Sequence, residues 1–92
     1  MIRVRFLRTF DETLTGLPAK EQARARSAVS GLLDYFGGGP KPTGLGLRKL
    51  KGSCWEVRAG LGNRIFFLLD GDLATFILIG NHDAIRRQLH RR

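Results

Sequence analysis

The chain has 92 residues, 42% of them hydrophobic, and its 16 Lys and Arg against 8 Asp and Glu give a net charge of +8. That is one domain spanning residues 1–92, with enough apolar content for a packed core and too much for a disordered polypeptide. The single cysteine, Cys54, excludes an internal disulfide and a cysteine-based zinc cluster; with two histidines eight residues apart, no convergent carboxylate cluster and no nucleotide-binding phosphate loop, neither metal nor cofactor is expected.

The N-terminal stretch MIRVRFLRTF alternates apolar and charged residues, the period of a half-buried strand, and has no apolar run of the kind a signal peptide needs. Thr9 followed by Glu12 has the spacing of a capping box and predicts a short helix that Gly16 interrupts. Pro18 suits the first turn of a second helix. Its apolar positions Ala25, Ala28, Val29, Leu32, Leu33 and Phe36 recur at three- and four-residue steps, and the stripe ends at Gly37, Gly38 and Gly39.

GGGPKPTGLG (37–46) reads as a connector, after which the period changes to two. LRKLK (47–51), CWEVRA (54–59), RIFFLLD (64–70) and LATFILI (73–79) are predicted strands, with turns at Gly52-Ser53, Gly60–Asn63 and Asp70-Gly71-Asp72. The strand at 64–70 is apolar on both faces and belongs in the middle of the sheet, with the helices on one side. A short C-terminal helix from about Asp83, capped by Asp83, closes the chain. The expectation is an α+β fold: N-terminal strand, two-helix hairpin, antiparallel four-stranded meander and short C-terminal helix, with the second sheet face free. The run 73–79 is far too short to span a membrane, so a soluble cytoplasmic protein without a membrane partner is expected.

Ten of the sixteen basic residues lie between 41 and 92, opposed there by Glu56, Asp70, Asp72 and Asp83. A basic domain of this kind meets nucleic acid, an acidic protein or an anionic surface. Strand parity puts Glu56 and Arg58 on the face opposite Trp55 and Val57, and the following turn brings Arg58 close to Arg64. Two guanidiniums side by side suit a phosphate between them. An ordinary ion pair from Glu56 to one of them is the structural alternative, and the two are compatible. His82, just past the last strand, has an imidazole able to exchange a proton near neutrality, a task arginine performs poorly. Asp83 and His90 do not converge with it as metal ligands, and His90 reads as helix surface or a phosphate contact.

The phrases LRKLKGSCWEVRAGLGNRIFFLLDGD and ILIGNHDAIRRQL, together with the helical hairpin, resemble the RelE/ParE superfamily of type II toxin–antitoxin toxins, over nearly the whole chain. The resemblance implies a compact, microbial-ribonuclease-like RelE fold and, in the RelE/HigB branch, metal-independent cleavage of mRNA bound in the ribosome. A ribose 2′-hydroxyl would attack the adjacent phosphate, leaving a 2′,3′-cyclic phosphate and a 5′-hydroxyl. By position, Arg58 and Arg64 match the basic strand residues at the scissile phosphate, His82 the basic residue acting as general acid or base, and Glu56 an alternative base or a salt-bridge partner. Arg48, Lys49, Lys51, Arg86, Arg87 and His90 are the candidate RNA and phosphate contacts. The implied partners are mRNA, ribosomal RNA and a cognate acidic antitoxin covering the basic face in a hetero-oligomer. The ParE branch, which inhibits DNA gyrase without catalysis, and a basic nucleic-acid-binding module without activity are the alternatives.

Overall fold

The computed structural model describes residues 2–42 and 44–91; Thr43 of the connector and Arg92 of the basic tail lie outside them. In chain order the elements are β1 (Arg3–Phe6), α1 (Arg8–Thr15), α2 (Ala19–Phe36), β2 (Arg48–Lys49), β3 (Cys54–Arg58), β4 (Arg64–Asp70), β5 (Leu73–Gly80) and α3 (His82–His90). The sheet order is β1-β5-β4-β3-β2. β2 to β5 form the antiparallel meander, whereas β1 runs parallel to β5 and makes the far edge. A parallel neighbour needs a long crossover, and the α1–α2 hairpin together with the rest of the meander supplies it.

The α2 stripe packs as its spacing predicts. Ala25, Val29 and Leu32 are buried and meet Val57, Ile65, Phe67 and Phe76 from the sheet, with Phe10 of α1 completing the cluster. Each large side chain buried here contributes about 1.5–3 kcal/mol. Pro18 sits at the N-cap of α2, and its C-terminus is closed by the Gly37 N–H on the Leu33 carbonyl and the Gly38 N–H on the Tyr35 carbonyl. Central β4 is buried on both faces: Ile65 and Phe67 face the helices, Phe66 the other side. The β4–β5 hairpin turns on Gly71 and Asp72, with Gly71 at φ +60°. A positive φ at the first of two loop residues fits a II′ turn, whose twist matches that of the strands.

Four expectations are corrected. Thr9 lies inside α1 and Leu7 occupies the N-cap position without a side-chain cap, so the Thr9–Glu12 spacing is no capping box. Glu12 pairs with Arg8 instead, one helical turn away. Strand β1 is exposed at all four residues because only β5 flanks it; Phe6 is 46% exposed although its ring stacks on Phe76 at 5.2 Å. The 47–51 strand shrinks to Arg48–Lys49, since Leu50 already bonds back to Cys54 in the turn to β3. The second sheet face is not free: Ile85 and Leu89 of α3, with Leu7 and Leu50, cover Cys54, Phe66 and Ile77.

At the β1 edge, Arg3 donates Nε and Nη2 to Asp72 Oδ1 at 3.0 and 2.9 Å, tying the first strand to the β4–β5 turn. The hydrogen bond and charge of Arg3 hold the Asp72 carboxyl below its usual range. A depressed carboxylate stabilises the fold above its unfolded pKa of ~3.9 and loses that contribution as pH falls through the lower folded value. An Asp72→Asn variant should therefore melt slightly below wild type near neutral pH. The gap should close on acidification, as thermal melts across the acid range will show, and it stays small because the pair is exposed.

Candidate active site

Arg64 opens β4 with its Cα in register between Arg58 of β3 and Gly80 of β5. The chain leaves β5 at Gly80 and enters α3 at once. A Cβ on Gly80 would lie 2.7 Å from the Ala84 Cβ, so this junction requires the missing side chain. Asn81, not Asp83, caps the helix: its side chain accepts from the Ala84 N–H at 2.9 Å. Asp83 falls in the first turn, where its charge complements the helix dipole.

The cap sets the rotation of α3. Ile85 and Arg86 lie three and four residues after His82, and Leu89 three and four after Arg86 and Ile85, so the four share one face. Ile85 and Leu89 seat that face on the sheet, while His82 and Arg86 overhang β3 and β2. The result is a cleft of about 140 Å³ lined by Arg48, Leu50, Glu56, His82, Arg86 and the two apolar α3 residues.

At its floor is Glu56, the one buried charged residue among those described, with 1% of its side chain exposed. Strand parity had placed it on an open face; α3 covers that face, and this corrects the expectation. The Arg64 Nη1 donates to Glu56 Oε2 at 2.5 Å, and the Arg48 Nε lies 3.9 Å from the same oxygen. The ion-pair reading of Glu56 is therefore the observed one. Such a carboxylate is a counter-ion that fixes its partners' geometry.

The site residues divide into two groups. His82, Glu56, Arg48 and Arg86 line one cleft, with Arg64 tied to its floor. Arg58 does not join them. Its Cα faces that of Arg64 across the two strands, as expected, but its side chain lines a different groove beside α2. Lys49 lies over the Trp55 ring, 6.0 Å from its centroid, and Lys51 lines a separate recess with Cys54. Arg87 and His90 are exposed in the last turn of α3 and outside the cleft. Among the described residues no three His, Cys, Asp or Glu side chains gather as metal ligands, and no helix is long and apolar enough to cross a membrane. Gly80 and Asn81 were missed as site-shaping residues; an Asn three residues before a helical Ala was the available signal.

No protein-family model matches the sequence, and no curated protein matches it. Solved structures do. A chain of the RelB–RelE antitoxin–toxin complex of Methanococcus jannaschii aligns over 91% of this chain and 96% of its own, with a TM-score of 0.69 and 19% identity. The chain has the RelE-type fold. YafQ of Escherichia coli BL21(DE3) aligns over 92% of this chain and 98% of its own, at TM-score 0.65 and 12% identity. The RelE–RelB complex of Pyrococcus horikoshii gives 87% and 93%, 0.67 and 17%. At these identities the likeness to RelE-type structures is one of fold, and chemistry has to be argued from the cleft.

Proposed function

We propose that this protein is the toxin of a toxin–antitoxin pair and acts as a metal-independent endoribonuclease on ribosome-bound mRNA. The observation that carries the reading is the His82 cleft: one exposed imidazole beside Arg48 and Arg86, above an Arg64 held by a buried carboxylate. The fold supports it as well, because the structures it resembles include toxins of RelE–RelB complexes.

In the proposed reaction the ribose 2′-oxygen bonds to the adjacent phosphorus and the bond to the 5′-oxygen breaks. The products are a 2′,3′-cyclic phosphate and a 5′-hydroxyl. One proton leaves the 2′-hydroxyl and one reaches the departing 5′-oxygen. His82 is the cleft residue suited to moving a proton, since the Glu56 carboxylate is occupied by Arg64. Arg48, Arg64 and Arg86 stabilise the charge that grows on the phosphoryl oxygens, where fixed guanidiniums act strongly. Glu56 is a positioning residue: it keeps Arg64 in place before substrate arrives.

The test is to add purified protein to a translating extract and map new mRNA 5′ ends. Cleavage that survives chelation of divalent metal, with 5′-hydroxyl ends, supports the proposal. Intact mRNA together with inhibited DNA supercoiling would sink it in favour of a gyrase inhibitor.

A further inference from the structure

A second groove, of about 500 Å³, lies between α2, the connector before β2 and the end of β3, and shares no lining residue with the His82 cleft. Lys20, Arg24 and Ser27 line it from α2 at four- and three-residue steps, and Arg58 faces them from β3. The basic side chains are seated. A Cβ on Gly60, at φ +108°, would come within 3.1 Å of the Arg24 Cδ, so the Arg24 stem lies across bare backbone. A Cβ on Gly46, at φ +67°, would approach the Arg58 Cβ to 3.0 Å, so Arg58 is packed in the same way.

Among the described residues no acid lines the groove. Glu21, adjacent to Lys20 in sequence, accepts a bond from the Asn63 side chain at 2.8 Å. Lys20, Arg24 and Arg58 have no ion-pair partner among the described residues, unlike Arg3, Arg8, Arg48 and Arg64. Three unneutralised cations around one concavity repel one another until an anion enters.

We infer that the Lys20–Arg24–Arg58 groove is a second nucleic-acid site, gripping backbone phosphates of the same RNA strand whose scissile phosphate sits in the His82 cleft. Naming RNA as the occupant rests on the nuclease reading above. Continuity favours a strand over an acidic protein segment: Arg58, on the groove wall, is in register with Arg64, at the cleft floor. A polymer with a charge at every unit is served by cations at successive points along one path. Among the described residues lining the groove, Leu45 is the one large apolar side chain and is itself buried in the core; the other apolar ones, Ala23, Ala28 and Pro42, are small, a poor seat for a bulky peptide anchor.

The test uses full-length protein and single-stranded RNA carrying 2′-O-methyl groups, which bind without being cut. A Lys20→Gln/Arg24→Gln double variant changes exposed side chains, and an unaltered melting temperature confirms that it folds. Its affinity for a long oligonucleotide should fall about tenfold, and the slope of log affinity on log salt should flatten by about 1.4, two contacts at ~0.7 each. A very short oligonucleotide, filling only the His82 cleft, should bind wild type and variant alike. Equal affinity and slope for the long RNA would overturn the inference while leaving cleavage, and with it the nuclease reading, intact. Loss of binding to an acidic protein partner with RNA binding unchanged would also overturn it and mark the groove as a protein-docking surface. Groove-dependent RNA binding by a protein that cuts no RNA would instead uphold the groove and refute the nuclease.

Discussion

Replacing Arg64 by alanine is expected to destabilise the fold by about 3–5 kcal/mol, the usual cost of leaving one member of a buried ion pair alone. The asymmetry of the pair sets this figure. Glu56 is 1% exposed and cannot recover water, whereas Arg64 is 31% exposed and can. Without Arg64 the Glu56 carboxylate keeps only Arg48, at 3.9 Å and itself 63% exposed. Glu56→Gln should therefore cost less than Arg64→Ala, because the freed guanidinium turns outward. Arg48→Ala, removing a long and solvated contact, should cost about 0.5 kcal/mol or less. Urea unfolding of the three variants gives the order directly. An Arg64→Leu/Glu56→Leu double variant adds a control: removing both charges should regain most of the lost stability. That variant should still cleave RNA poorly, which separates the phosphate-binding role of Arg64 from its part in stability. If Arg64→Ala and Arg48→Ala prove equally mild, Glu56 is not held as described.

Much of the fold was legible because local pattern and tertiary demand agree. The α2 stripe is wide enough to need a sheet beneath it, and the two-faced apolarity of 64–70 suits only a strand covered on both sides. Legibility failed where burial depends on distant chain. Alternation in β1 reads as half-buried, yet its exposure follows from its edge position beside β5, about seventy residues away. Glu56 has the parity of an outward residue. Only the later placement of α3 over that face buries it, and the partner it then requires is Arg64. Arg58 and Arg64 are neighbours in register, as the turn between them predicts; Arg64 bonds the buried carboxylate, and Arg58 lines the groove by α2. Lys20 and Arg24 escaped notice because a helix read for its apolar stripe is seldom read for its polar side. His82 falls just past the last strand, as its sequence position predicts, at the first position of α3.

Replacing His82 by alanine is expected to lower the cleavage rate by about 10²–10⁴-fold, the range contributed by a positioned general acid or base. The fold should be nearly unchanged, since His82 is exposed at the first position of α3 and the Asn81 cap bonds to Ala84 without it. Affinity for uncleavable RNA should also hold, because the phosphate contacts belong to the arginines. A fall in rate with no fall in binding is thus the signature of proton transfer. An Arg86→Ala variant supplies the contrast, weakening binding and flattening its salt dependence by removing a cation from the same helix face. Were the His82→Ala variant to cut at the wild-type rate, His82 would carry no proton, and the chemistry would have to lie with the arginines alone.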